Sequence, residues 1–235
     1  MRDTEQWPTA PKDLLLEENV VHVWRAELTD PSSNLLSSNE RERAAQFHFD
    51  KDRNRYIAAR AILRQLIGRY EKITPGNIQF NYNTFGKPGL DGSSLRFNAS
   101  HSADLALFAF TRNRNIGVDL ERIRSDLALR EIAGRFFSEA EVAALRALPA
   151  EAQITAFFAC WTRKEALIKA HGSGLSLPLH KFAVSLDAPA RLLQTDFDPN
   201  AMNQWTLHEL DADDGFAAAL AIEGQPDRIE CWRWE

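Results

Sequence analysis

Two hydrophobic periods alternate along this chain. Val20-Val21-His22-Val23-Trp24-Arg25-Ala26-Glu27-Leu28 is rich in β-branched residues and partly alternates, which predicts a strand. Ser37-Ser38-Asn39-Glu40 carries cap-type residues and opens a helix. From about Lys51 to Tyr70, the apolar positions Tyr56, Ala59, Ile62, Leu63, Leu66 and Ile67 recur at helical spacing, until Thr74-Pro75-Gly76 ends the unit. Ile78 to Tyr82 reads as a short strand, followed by the turn-rich Phe85-Gly86-Lys87-Pro88-Gly89. Leu105 to Phe110 is continuously apolar and predicts a strand. Thr111 to Asn115 reads as a turn, and Ile116 to Glu121 as the returning strand.

The second half repeats the theme. Leu127 to Phe136 reads as helical. Ser138 and Glu141 have the spacing of a capping box at the start of another helix. A long helix is expected from about Ala152 to Ala170, stopped by Gly172 and Gly174. Short strands follow at Phe182–Leu186, Trp205–Leu210, Phe216–Ile222 and Ile229–Trp232. Each half thus offers strands and one long helix. The expected class is α+β, with an N-terminal half over 1–112 and a C-terminal half over 113–235. No internal sequence repeat accompanies this likeness of content.

Composition narrows the classes. The chain has 235 residues, with six Trp and fourteen Phe to anchor cores. Its net charge of −5 argues against bulk nucleic-acid binding. Cys160 and Cys231 are far apart and form no metal-type pair, which fits a reduced, cytoplasmic setting. Met1 to Gln6 holds no apolar run, so no secretory leader is expected, and no stretch is apolar enough to span a bilayer. Between Arg41 and Lys72, basic residues clearly outnumber acids. That stripe is either a solvated helix face or a surface for a compact anionic ligand or partner.

Three stretches carry candidate chemistry. In the strand Ile116–Glu121, the side chains of Ile116, Val118 and Leu120 point one way and those of Asp119 and Glu121 the other. Two carboxylates side by side repel unless a cation sits between them, and oxygen-only donors suit Mg²⁺; an exposed acidic strand face is the alternative. On the long helix, Trp161, Glu165 and Lys169 are spaced i, i+4, i+8 and share a face with Lys164 at its side. That face either joins a metal ligand to two phosphate-binding ammonium groups, or holds a simple surface pair. Asn98-Ala99-Ser100-His101-Ser102 precedes the apolar strand as turn formers or as phosphate-binding groups, and Lys87 sits in a turn able to offer its ammonium to an anion. Phosphate-binding loops, dinucleotide fingerprints, zinc spacings and nucleophile elbows do not occur.

In this order, Asn98–Ser102, Gly117-Val118-Asp119-Leu120-Glu121 and Trp161-Thr162-Arg163-Lys164-Glu165 with Lys169 and Gly172-Ser173-Gly174-Leu175, the motifs resemble those of the 4′-phosphopantetheinyl transferases. The likeness is to their long, monomeric, surfactin-synthetase-activating class. It extends over about residues 40–185, through Gly86-Lys87-Pro88, Arg135-Phe136-Phe137-Ser138 and Leu175 to Leu179. The resemblance implies two similar α+β halves with the active site in the cleft between them. It implies transfer of the phosphopantetheine arm of coenzyme A to a serine of an apo acyl or peptidyl carrier protein, releasing adenosine 3′,5′-bisphosphate. Asp119, Glu121 and Glu165 would hold Mg²⁺, with Glu165 as base. Lys164 and Lys169 would stabilise the pyrophosphate and leaving group, and Ser100, His101 and Lys87 the nucleotide and its 3′-phosphate, with Arg43 and Arg60 assisting. The chain departs from the pattern where the family sometimes has lysines before the long helix; Glu40 and Arg43 stand there instead. The Arg-rich stripe is a possible docking surface for an acidic carrier, and Phe136 and Phe137 would either receive the carrier helix or belong to the core. Two other readings use the same residues: a Mg²⁺-dependent phosphoryl-transfer or phosphohydrolase enzyme without a protein acceptor, and a coenzyme A-binding module without catalysis.

Overall fold

The computed structural model describes residues 7–235; Met1 to Gln6, where no leader is expected, lies outside them. The first half contains β1 (Val20–Glu27), α1 (Ser38–Ala45), α2 (Asp50–Glu71), β2 (Asn81–Tyr82), β3 (Pro88–Gly89), β4 (Leu95–Ser102) and β5 (Leu105–Arg112). Then come β6 (Ile116–Arg122), α3 (Leu129–Phe136), α4 (Glu139–Ala147), α5 (Ala150–His171), β7 (Phe182–Val184), β8 (Leu192–Thr195), α6 (Ala201–Gln204), β9 (Trp205–Leu210), β10 (Phe216–Glu223) and β11 (Arg228–Arg233).

Two sheets and two long helices form four layers. The first sheet runs β11–β1–β5–β4 and the second β6–β10–β9. Helices α2 and α5, each of 22 residues, cover the outer faces. Strand alternation sorts side chains into three cores. Trp24 and Ala26 of β1 and Phe108 and Phe110 of β5 pack with Leu63, Leu66 and Ile67 of α2. Val21, Val23, Leu107 and Ala109 meet Ile116, Val118, Leu120, Leu220 and Ile222 between the sheets. Ala219 and Ala221 of β10 pack with Phe157, Ala166, Leu167 and Ala170 of α5. The α+β class and the pairing of one sheet with one long helix in each half are as expected.

Local chemistry sets the helix ends. Ser37 and Glu40, then Ser138 and Glu141, form capping boxes at the starts of α1 and α4. Gly172 ends α5 in the left-handed conformation (φ 77°).

Three expectations change. The polar segment Asn98–Ser102 is not a strand entrance but most of strand β4 itself. The strand expected over 78–82 shrinks to two residues, and β8 was not foreseen. Strand β11 pairs in parallel with β1 of the first half, His22 opposite Glu230. Among the described residues, no helix is long and apolar enough to cross a membrane.

The second sheet lies very close to α5. A Cβ added at Gly117 would fall on the Ala166 carbonyl and the Ala170 amide of the helix. Both are backbone atoms that cannot swing aside. Gly117→Ala is therefore expected to lower stability by about 1–3 kcal/mol or more, read as a drop in the urea midpoint at unchanged m-value.

Candidate active site at the free edge of β6

One edge of β6 pairs with β10 through backbone hydrogen bonds. The other faces β4, the edge strand of the first sheet, and is satisfied by side chains instead. The Val118 N–H donates to Asn98 Oδ1 at 2.9 Å, the Leu120 N–H to Ser100 Oγ at 3.3 Å and the Arg122 N–H to Ser102 Oγ at 3.0 Å. Residues two apart on a strand direct their backbone groups to the same edge, so three polar side chains at alternate β4 positions meet three alternate amides. The carbonyls of that edge take ammonium groups. Lys87 Nζ donates to Ile116 O at 2.9 Å, and Lys169 Nζ to Val118 O at 3.3 Å.

Asp119 and Glu121 face α5, opposite the buried Ile116, Val118 and Leu120, as alternation predicts. Along α5, Trp161, Glu165 and Lys169 are a partly exposed stripe on an otherwise largely buried segment. Lys169 Nζ reaches Asp119 Oδ1 at 2.6 Å and Ser100 Oγ at 2.9 Å. Asp119 is 3 % exposed, and its Oδ2 is buried without a hydrogen-bond partner. Glu165 has its pKa raised above the usual carboxylate range by burial and then by the Asp119 charge, with Lys169 opposing. Glu121 is raised for the same two reasons, against a hydrogen bond from Ser102 Oγ at 3.1 Å. Three carboxyl groups thus share a region with one ammonium, and mutual repulsion makes them costly to ionise together.

Lys87 is lowered to about 8, because burial penalises its charge and both its partners, Ile116 O and Ala170 O, are neutral. The Ala170 carbonyl lies in the last turn of α5, where the helix dipole favours a cation. A cavity of about 250 Å³ opens beside these groups, lined by Lys87, Asn98, Glu165, Lys169 and the glycines 172 and 174. His101 lies on the opposite face of β4 from Ser100; partial burial, then the Lys169 and Arg55 cations, lower its pKa.

The remaining assigned residues lie apart. Lys164 does not join the phosphate-binding face. Its side chain is 0 % exposed, its ammonium held by Glu141 (2 % exposed) at 2.8 Å and by the carbonyls of Leu179 and Phe182 at 2.9 and 2.5 Å. One residue from Glu165 is a 100° turn of the helix, and that turn carries Lys164 into the core. Arg60 is bound to Glu40 at 2.6 Å and stacks on Phe80, while Arg64, which the motif reading passed over, binds the same carboxylate at 2.7 Å. Arg43 is exposed and donates to Gln46. Part of the basic stripe is paired with acids: Arg53 with Asp50, and Arg55 with Asp52 and with Asp104 from the β4–β5 turn. Phe137 is buried against Phe157, while Phe136 packs edge-on to Trp161. Asn98 and Ser102 are further site residues, signalled in the sequence by polar side chains at alternate positions around Ser100.

Comparison with known proteins places this geometry. Residues 115–221 match the 4′-phosphopantetheinyl transferase superfamily, and residues 24–113 the N-terminal region of 4′-phosphopantetheinyl transferases. The 4′-phosphopantetheinyl transferase HetI of Nostoc sp. is 39 % identical over 239 residues, covering 97 % of this chain and 98 % of that protein. The chain belongs to the 4′-phosphopantetheinyl transferases. Sfp of Bacillus subtilis is 35 % identical over 65 % of this chain and 67 % of its own length. A putative member from Synechocystis sp. is 34 % identical over 74 % and 71 %. In this transferase the two matched regions meet in the turn between β5 and β6, beside the side-chain ladder.

Whether the transferase fits a Mg²⁺ ion is tested by its own donors. As they stand, no three His, Cys, Asp or Glu side chains among the described residues are drawn together tightly enough to enclose a metal. Yet Asp119 Oδ2 is a buried, unpartnered oxygen, and both neighbouring carboxyls are raised by burial and then by its negative charge. An all-oxygen set with excess negative charge suits a hard cation. The residues fit.

Two measurements check these placements. Lys164→Met should cost about 3–5 kcal/mol in chemical denaturation, because it strands the buried Glu141 charge, and adding Glu141→Leu should recover part of the loss. For Lys87, the folded pKa of about 8 lies below the ordinary lysine value of 10.5, so between these pH values the unfolded chain binds more protons. That group makes stability rise with pH across the window. Stability of wild type relative to Lys87→Met should therefore climb from pH 8 to pH 10.

Proposed function

We propose that this transferase moves the 4′-phosphopantetheine arm of coenzyme A to a serine hydroxyl of an apo acyl or peptidyl carrier protein, with Mg²⁺ held by Asp119, Glu121 and Glu165. The observation that carries the metal reading is the buried, unpartnered Asp119 Oδ2 beside two carboxyls raised by burial and then by its charge. When bound, Mg²⁺ supplies positive charge against the pyrophosphate. Glu165 takes the proton from the carrier serine; a pKa raised by burial makes it a stronger base than an ordinary carboxylate. The serine oxygen forms a bond to the pantetheine-side phosphorus, and the bond from that phosphorus to the bridging oxygen breaks. The leaving group is adenosine 3′,5′-bisphosphate. Lys169, already the counter-ion of Asp119, lines the cavity and stabilises negative charge developing there. Lys87, Ser100 and His101 hold the nucleotide end. Lys164 drops out of this assignment because its ammonium is buried away from the cavity.

One chain supplies both sides of the β4–β6 seam, which supports action as a monomer. The reading places it in the cytoplasm with its carrier.

Intact-mass spectrometry of an apo carrier protein mixed with the transferase, coenzyme A and Mg²⁺ is expected to show the gain of one phosphopantetheine arm, abolished by EDTA. Glu165→Gln should slow labelling about 10²–10⁴-fold. Full activity in that variant would remove Glu165 as base. Coenzyme A breakdown without carrier labelling would identify a hydrolase instead.

A further inference from the structure

Ser100 and Ser102 occupy equivalent places in the ladder. Each hydroxyl accepts an alternate β6 N–H and donates to a β6 carboxylate, Ser100 to Asp119 at 3.0 Å and Ser102 to Glu121 at 3.1 Å. The two carboxylates are otherwise held differently. Asp119 also has the Lys169 ammonium. Among the described residues, Glu121 takes its side-chain hydrogen bond from Ser102 alone; Lys169 and Arg124 act on it only through their charge. The Arg122 N–H engages a lone pair of Ser102 Oγ, which leaves the hydroxyl hydrogen for Glu121. The backbone of β6 thus orients a serine that in turn orients a carboxylate of the same strand.

We propose that Ser102 is a positioning residue for the transfer reaction. It holds the Glu121 carboxylate in the orientation that receives the divalent cation, and so sets metal affinity without touching coenzyme A or the carrier. This rests on the reading of Asp119, Glu121 and Glu165 as the metal set. Asn98 is a built-in control: it sits in the same ladder and binds the Val118 N–H at 2.9 Å, but donates to neither carboxylate.

The test is a Mn²⁺ titration followed by water-proton relaxation, with coenzyme A present, on wild type, Ser102→Ala, Ser102→Thr, Asn98→Ala and Glu121→Gln. Ser102→Ala is expected to weaken Mn²⁺ binding about tenfold or more, and Ser102→Thr, which keeps the hydroxyl, to restore it. Asn98→Ala should lower the melting temperature and weaken Mn²⁺ binding less than Ser102→Ala does. In steady-state assays, Ser102→Ala should raise the Mg²⁺ concentration needed for half-maximal rate and leave the KM for coenzyme A unchanged. If Ser102→Ala binds Mn²⁺ like wild type while Glu121→Gln loses it, the role given to Ser102 is wrong and the metal set stands. If Ser102→Ala and Asn98→Ala weaken Mn²⁺ alike, or threonine fails to rescue, Ser102 is only part of the seam and the proposal falls. If wild type and Glu121→Gln bind Mn²⁺ equally, Glu121 is no ligand and both readings fall together.

Discussion

A strand at the edge of a sheet must do something with its outward amides and carbonyls, and β6 gives them to side chains. Asn98, Ser100 and Ser102 take three amides, and Lys87 and Lys169 take two carbonyls. Had β4 paired with β6 through backbone bonds, the two sheets would have merged into one and no polar side chain would stand between them. Because the pairing is indirect, a row of hydroxyls, an amide and two ammonium groups is built into the seam. The same row borders the carboxylates of Asp119 and Glu121. Structural satisfaction of an edge and assembly of a reactive site are here one set of bonds.

The helix opposite divides its charged residues by direction. Glu165 and Lys169 keep to the partly exposed stripe, while Lys164 turns inward to Glu141. Glu141 also closes the capping box of α4 and accepts the Val184 amide, so a single carboxylate ties α4, α5 and β7 together. The long helix is thereby clamped from behind while its front presents the site. Gly117 completes the arrangement by letting β6 lie against α5 where any side chain would hold the strand away.

Much of this was legible in the residues. The period of α2 and α5, both capping boxes, and the opposed faces of β6 followed from spacing alone. The motif order pointed to the family before any geometry was known. Strand β4 was not legible as a strand, because its inner face is polar where an apolar alternation was expected; its hydroxyls are buried against amides, and only the partner strand explains them. Lys164 looked equivalent to Lys169 because spacing along a helix does not say which flank meets the core. The arginines of the first half looked free because their acids, Glu40 and Asp104 among them, are brought to them by folding.

The return of β11 to the side of β1 has a consequence for how the molecule comes to exist. Strand β1, with its Val20-Val21-His22-Val23-Trp24 run, is flanked by β5 on one side and β11 on the other. During synthesis the first sheet can gather β1, β4 and β5 early, but the outer edge of β1 stays open until β11 has emerged. An apolar strand with unpaired backbone is prone to join a neighbouring chain. The sheet that begins with β1 is thus completed only after the second sheet has been made, and β1 is exposed to edge-to-edge pairing until β11 covers it.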